Sequence, residues 1–124
     1  MISPHSQDAF TIERHGEVTL IRPSSVFESL DFELDDQAAE LIIEPFRQQE
    51  GPLVVFDLSG VSFFGSMFIQ LLLRCWKLAL VQGGMMVLAG VSEPARELLR
   101  MTALDMVWPI YATPREAIDA LLTD

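Results

Sequence analysis

The chain has 124 residues, of which 50% are hydrophobic and 21% charged, so it is long enough to bury the core of one domain. Its 18 acidic residues against 8 Lys and Arg give a net charge of −10, which disfavours nucleic acid and anionic membrane surfaces as partners. The single cysteine, Cys75, excludes an internal disulfide, and the apolar stretch 67–81 is too polar to span a membrane because Gln70, Arg74 and Lys77 interrupt it. With no signal-peptide pattern at the N-terminus, these features predict a cytoplasmic protein without direct membrane insertion.

The N-terminal part of the chain is predicted to consist of a flexible arm and a β-hairpin. Residues 1–9 are the arm, and residues 10–122 form one domain. Hydrophobic and polar residues alternate on both sides of His15-Gly16, which is the pattern of two antiparallel strands joined by a tight turn.

The rest of the domain is predicted to alternate short hydrophobic strands with helices. Residues 53–56 and 85–89 are continuous apolar runs, as expected of strands covered on both faces. Residues 67–81 between them have the character of a helix, and a Gly-Gly pair ends it; a short last strand is expected over 107–111. Such alternation implies parallel strands. The fold class is therefore α/β, with one mixed sheet, helices packed on it, and an N-terminal hairpin followed by βα units.

Three further helices are predicted from residues that cap helix N-termini. One follows Asp35 or Asp36 and is bent or ended early by Pro45; its apolar positions are Ala38, Leu41, Ile42 and Phe46. Ser92 begins another helix. Residues 113–116, Thr-Pro-Arg-Glu, form a capping box in which the hydroxyl and the carboxylate bind free N–H groups reciprocally, and this box begins the final helix.

The residue inventory disfavours catalysis. His5 and His15 have no His, Cys or carboxylate at metal-ligand spacing, and no histidine follows Ser66 to serve as its base. A phosphate-binding loop ending in Gly-Lys-Ser/Thr is absent. Asp57 ends a strand as a phospho-accepting aspartate does, but Lys77, the one lysine, falls inside a helix, so Asp57 is expected to bind local N–H groups. The chain is predicted not to be an enzyme, with no catalytic residues, metal or cofactor.

A binding site is expected where two parallel strands end, in the loops 57–66 and 89–93. Ser66 stands where the first loop meets a helix. It is either an ordinary N-cap or a phosphorylation site, and a phosphate there would add roughly −1.5 to −2 charges beside the helix N-terminus. The predicted partner-binding residues are Gly65, Ser66, Met67, Ile69, Gln70, Gly90, Ser92 and Glu93.

The helix that follows Ser66 has more apolar surface than one core-facing stripe requires. The stripe facing the sheet is predicted to contain Phe68, Leu71, Leu72, Cys75 and Ala79. A second stripe contains Ile69, Leu73, Trp76 and Leu80. This second stripe is covered either by a neighbouring helix or by a partner, and an exposed tryptophan would suit a binding hot spot.

Three phrases of the sequence resemble the STAS domain, the family named for sulphate transporters and anti-sigma factor antagonists. They are Val-Val-Phe-Asp-Leu-Ser-Gly-Val at 54–61, the turn and strand at 83–92, and the helix with its leucine turn at 96–105. In soluble antagonists of this family, an anti-sigma factor that is also a kinase phosphorylates a serine in the motif Asp-Ser-Ser/Thr-Gly. The aligned residues here are Gly-Ser-Met-Phe at 65–68, so Ser66 matches the acceptor while its neighbours differ, which indicates a divergent subgroup.

The resemblance implies a regulatory protein-interaction module. The leading expectation is an anti-sigma factor antagonist or related partner-switch component in transcription regulation, with phosphoserine at Ser66 and an anti-sigma factor/serine kinase as partner. The alternative is a soluble STAS accessory subunit that regulates a membrane transporter of the lipid-transporting ABC type. Homo-oligomerisation is left open by the sequence.

Overall fold

Five strands lie side by side in chain order in the computed structural model, which describes residues 10–25, 40, 42–44, 47–62 and 65–123. The strands are β1 (Phe10–His15), β2 (Val18–Pro23), β3 (Leu53–Asp57), β4 (Met85–Ala89) and β5 (Ile110–Tyr111). The β1–β2 pair is antiparallel, and every later pair is parallel. The predicted mixed sheet, with a hairpin followed by βα units, is thus confirmed.

The hairpin forms where the alternating pattern predicts it. His15 pairs with Val18 across the turn, and Phe10 pairs with Pro23 at the open end. Gly16 in the turn has φ +64°, a conformation that glycine adopts without the steric cost that a side chain would add.

Three helices have complete described bounds: α1 (Ser66–Val81), α2 (Glu93–Met101) and α3 (Pro114–Leu122). The predicted N-cap residues of the last two are confirmed, because Ser92 Oγ accepts from Ala95 N–H at 3.3 Å and Thr113 Oγ1 accepts from Glu116 N–H at 3.1 Å. The Thr113 bond is the hydroxyl half of the predicted capping box. Each of these helices has a proline in its first turn, where a missing N–H costs nothing.

The prediction of a strand over 107–111 is wrong in its first part. A 3₁₀ turn occupies Leu104–Met106, and the strand is limited to Ile110–Tyr111. Pro109 has no N–H to donate to a ladder, although its carbonyl accepts from Leu88 N–H at 3.0 Å. Trp108 enters the core instead, with 1% of its surface exposed.

A helical segment precedes β3 and is described at residues 40, 42–44 and 47. Ile42 and Ile43 are buried there, in agreement with the predicted apolar face. The predicted caps and bend, and the arm over 1–9, lie outside the described residues; so do Asp35, Asp36, Ala38, Leu41, Pro45 and Phe46.

The sheet has a separate hydrophobic core on each face. On one face, α1, α2 and the helical segment cover a cluster that includes Ile21, Val54, Phe56, Met86 and Leu88. On the other face, Ala117 of α3 packs with a smaller cluster formed by Val18, Leu20, Val55, Val87 and Ala89. This two-faced burial explains why the β3 and β4 sequences are apolar at consecutive positions.

Candidate functional site

The carboxyl ends of β3 and β4 bring the two predicted loops together. The strands are parallel neighbours, with Asp57 paired to Ala89 at their ends. Leu58 N–H donates to the carbonyl of Ala89 at 2.8 Å, and Gly90 N–H donates to the carbonyl of Tyr111 at 3.0 Å. Both loops therefore leave the sheet at one edge, as the strand order predicted.

Asp57 anchors the first loop. Its carboxylate is almost fully buried; Oδ1 accepts from Ser59 N–H at 3.1 Å, and Oδ2 accepts from Arg22 Nε at 3.1 Å. The prediction that Asp57 binds a local N–H group is confirmed. The ion pair with Arg22 was not predicted, because it joins strands that are distant along the chain.

The second loop packs closely against the first. Gly90 has φ +65°, and a Cβ there would lie 3.0 Å from Asp57 Oδ1 and 3.0 Å from Ser59 Cβ. A side chain at position 90 would therefore push the loops apart. Ser92 Oγ also donates to the carbonyl of Ser62, so the residue that caps α2 ties its helix to the loop leading towards α1.

Ser66 is the first residue of α1 and not its N-cap, so the prediction of an ordinary capping serine is wrong. Gly65 is the N-cap: its backbone is extended (φ −102°, ψ −169°), and its carbonyl accepts from Ile69 N–H at 3.2 Å. No side chain caps this helix, and its first turn contains no acidic residue. The Ser66 side chain is exposed and has no hydrogen bond in the described part of the chain.

The other predicted partner-binding residues divide by exposure. Gly65, Met67, Gln70 and Glu93 are exposed, and 54% of the surface of Met67 is accessible. The remaining three are half-buried, namely Ile69, Gly90 and Ser92. By position, Gly65, Met67, Ile69 and Gln70 lie at the start of α1, whereas Gly90, Ser92 and Glu93 lie between the end of β4 and the start of α2. The hydrogen bond from Ser92 to the carbonyl of Ser62 ties the second set to the loop that precedes the first.

The second apolar stripe of α1 is covered in part. Ile69, Leu73 and Trp76 are half-buried against the core, whereas 49% of Leu80 is exposed. The Trp76 ring meets Trp108 edge to face, with centroids 6.4 Å apart. A tryptophan from the segment before β5, not a partner, thus packs on the middle of this stripe.

Polar contacts hold the helical segment before β3 beside α1. Gln82 Nε2 donates to the carbonyl of Arg47 at 2.8 Å, and Arg74 lies 3.8 Å from Glu40. The segment therefore flanks the C-terminal half of α1, away from Ser66.

Few other described side chains are candidates for a chemical role. Cys75 is buried in the core, and burial raises the pKa of its thiol to about 12, so it behaves as a small hydrophobic residue. Within the described ranges, no group of three or more His, Cys, Asp or Glu side chains is arranged to hold a metal ion. His15 lies beside Glu13, with Nε2 3.2 Å from the carboxylate. No helix in these ranges is long and apolar enough to cross a membrane.

Sequence reasoning missed Arg22 and Trp108. Arg22 follows Val18 and Leu20 in the alternating pattern of β2, at a position where another apolar residue is expected. A charged residue at such a position indicates a polar partner, and this was the signal in the sequence. Trp108 was assigned to a strand, but Pro109 directly after it cannot donate a ladder hydrogen bond and so disfavours a strand there.

Comparison with known proteins agrees with this geometry. The family model described as the STAS domain matches residues 4–117. The anti-sigma F factor antagonist of Paenibacillus polymyxa is 27% identical over 110 residues, which cover 89% of this chain and 92% of that protein.

Two solved structures extend the comparison to the fold. An anti-sigma-factor antagonist (STAS) domain protein from Planctomyces limnophilus is 35% identical, with a TM-score of 0.82 over 92% of this chain and 98% of that one. The anti-sigma factor antagonist SpoIIAA in its unphosphorylated form is 25% identical, with a TM-score of 0.67 over 90% of this chain and 95% of that one. Because the family model spans nearly the whole chain and the five-stranded fold matches solved members, the chain belongs to the STAS domain family.

Proposed function

We propose that this chain is an anti-sigma factor antagonist that works by partner switching. Its unphosphorylated form binds an anti-sigma factor that is also a serine kinase, and phosphorylation of Ser66 ends that binding. One observation carries the proposal: Ser66 is exposed at the first residue of α1, at the sheet edge where the two strand-end loops meet. The names of the similar proteins support the class of partner.

The N-terminus of α1 can accept a phosphate without loss of folding stability. The helix dipole favours negative charge there, and neither the Gly65 cap nor an acidic residue already supplies one. The same phosphate would weaken the binding of a partner that docks over Ser66. The phosphate would have to lose water against the partner's surface, and that cost weakens binding unless a cation faces it.

The surface around Ser66 suits a protein partner. Met67 offers an exposed apolar side chain next to the switch residue, and the half-buried Ile69 continues the apolar surface along the helix. Gln70 and Glu93 supply a polar rim. An apolar centre with a polar surround is the usual composition of a protein interface.

This role also implies how and where the chain acts. The chain acts by binding and carries out no reaction of its own, and it works in the cytoplasm, where sigma factors bind RNA polymerase. The residues aligned with the phosphoacceptor motif of the family are Gly-Ser-Met-Phe at 65–68, and of these only Ser66 matches, so recognition by the kinase depends on Ser66 and on surfaces outside the motif.

Affinity capture from a detergent-solubilised native extract tests the proposal. Immobilised wild type, Ser66→Ala, Ser66→Asp and Gln48→Asp are compared, and captured proteins and the phosphorylation of the native chain are identified by mass spectrometry. Gln48 is exposed beside Arg47, near the opposite end of α1 from Ser66, so it controls for added charge.

We expect an anti-sigma factor kinase on wild type, Ser66→Ala and Gln48→Asp, and at least tenfold less of it on Ser66→Asp. If Ser66→Asp folds normally and captures the kinase as well as wild type does, the electrostatic switch is wrong and the chain is a constitutive adaptor. Capture of a transporter ATPase or permease in place of a kinase would favour the accessory-subunit alternative.

A further inference from the structure

A groove of about 400 Å³ lies on the sheet face opposite α1, between β2 and α3. Leu20 of β2 and Ile118 of α3 give it apolar walls, and Pro114 closes the end at the start of the helix. This volume is within the range of sites that bind small molecules, about 300–1,000 Å³. The groove shares no residue with the surface around Ser66.

The groove lies at the border of a sheet face that is itself well covered, because Val18, Val55 and Val87 are fully buried and Leu20 is 1% exposed. Ala117 of α3 packs over the cluster that includes Val55 and Val87 of the central strands, and β1 lies beyond it. On this face β1 presents polar side chains, because Glu13 is the cross-strand partner of Leu20 and Thr11 is the partner of Arg22. Leu20 lies at the bottom of the groove with 1% of its surface exposed, while the half-buried Ile118 and Pro114 present accessible apolar surface beside a polar border.

Two arginines, Arg22 and Arg115, line the groove together with His15 and one carboxylate, that of Asp119. Arg22 is paired with Asp57 and Glu13, so Arg115 is the lining arginine whose charge is not offset by an ion pair among the described residues. Arg115 is exposed and makes no hydrogen bond or ion pair with any residue that the structure describes. It is available to an anion from outside the chain.

Arg22 is held in position by its other contacts. Its Nε donates to Asp57 Oδ2 at 3.1 Å, and its Nη1 donates to Glu13. Nη2 has no partner among the described residues, so one nitrogen of a fixed guanidinium group is left free to donate. Guanidinium groups bind carboxylate and phosphate oxygens with two N–H donors, and a fixed geometry lowers the entropic cost of binding.

A second groove, of about 310 Å³ between α2 and β5, lacks these properties. Three acids and two arginines line it, and Arg100 is already paired with Glu97 at 2.5 Å. Arg96 has no ion pair among the described residues, but acids outnumber arginines in this groove and Ile110 is its only apolar lining residue. The groove beside α3 has more arginines than acids and more than one apolar lining residue.

We propose that the groove between β2 and α3 binds a small organic anion. The carboxylate or phosphate group of the ligand contacts Arg115 and Nη2 of Arg22, and its apolar body lies against Ile118 and Pro114, above Leu20. The inference does not rest on the proposed function, because the groove and α1 are on opposite faces of the sheet. Either can fail without the other.

Titration of the ¹⁵N-labelled chain with sodium octanoate, followed by NMR, tests this site. Octanoate carries the carboxylate and the apolar chain that the groove requires, and 1-octanol serves as the uncharged control. Arg115→Gln removes the free guanidinium, while Arg96→Gln removes an exposed arginine of α2 outside the groove. Circular dichroism melts check that both variants are folded.

We expect saturable shifts at the amides of Leu20 and Ile118. Arg115→Gln should weaken binding by about tenfold, the loss expected from one charged hydrogen bond. Arg96→Gln should stay within about twofold of wild type, because exposed charges outside a site contribute little. The site is disproved by shifts that map to Met67 instead, by an Arg115→Gln variant that binds as wild type does, by octanol binding equal to octanoate, or by an absence of saturable shifts.

Discussion

Replacing Asp57 with alanine should destabilise the fold and loosen the loop that leads to Ser66. The Asp57 side chain is 6% exposed, and both of its oxygens have partners, Arg22 on β2 and the backbone N–H of Ser59. The substitution therefore removes two contacts at once, one across the sheet and one within the loop.

The expected cost is about 2 kcal/mol. The hydrogen bond from Ser59 N–H to a carboxylate contributes about 1–1.5 kcal/mol, since one of its partners is charged. Because the Arg22 side chain is 43% exposed, water screens its ion pair with Asp57, and the pair contributes about 0.5–1 kcal/mol to stability. The backbone of the strand remains paired to β2 and β4, so the domain still folds.

Urea denaturation of wild type, Asp57→Ala, Arg22→Ala and the double variant measures both the total cost and the coupling. The coupling between Asp57 and Arg22 should be about 0.5–1 kcal/mol. Glu97→Ala is the matched control. Its carboxylate pairs with Arg100 on the exposed surface of α2, and its loss should cost far less than the loss of Asp57 because water screens exposed ion pairs.

Amide hydrogen exchange reports on the loop directly. The Ser59 amide should exchange at least about tenfold faster in Asp57→Ala, because its acceptor is gone. If Asp57→Ala costs no more than Glu97→Ala, or if the coupling with Arg22 is zero, the carboxylate does not anchor this loop and the reasoning is refuted.

Two further predictions concern α1. Gly65→Asp should raise the free energy of unfolding by about 0.5–1 kcal/mol, because it places a capping carboxylate beside the positive end of the helix dipole. The N-cap backbone is extended, and a Cβ added there would have no atom within 4 Å. A thermal melt with an unchanged or lower Tm would contradict this. Cys75 should resist thiol reagents near neutral pH until the protein unfolds, because its thiol is buried. Burial also raises the pKa of this thiol from 9.0 to about 12, so its contribution to the free energy of unfolding is fully present below about pH 9 and is lost as pH rises towards 12. Thiol labelling and urea midpoints across this pH range test both effects, and rapid labelling of the folded protein would show that the thiol is accessible.

Local sequence patterns were sufficient to predict most elements of the fold. The hairpin around His15-Gly16 and the two apolar strands were correct, since alternation and continuous apolar runs directly reflect which faces are buried. The caps at Ser92 and Thr113 were also correct. Such features depend on residues within a few positions of one another.

The start of α1 shows where local patterns fail. A serine at a loop–helix junction matched the N-cap preference, yet the N-cap is Gly65 and Ser66 is the first helical residue. Both positions are compatible with the sequence, because a helix boundary one residue away changes few contacts. The extended backbone of Gly65, with φ −102° and ψ −169°, marks the residue before the first helical one.

The sequence by itself determined the fold class, the order of the elements and the position of Ser66 next to a strand-end loop. Only the tertiary structure decided that Trp108 packs on Trp76, that Arg22 pairs with Asp57 from 35 residues away, and that α3 leaves a groove over Leu20. Hydrophobic periodicity records which face of an element is buried but not which element covers it. Contacts between distant residues depend on strand order and register, and those follow from the packing of the whole chain.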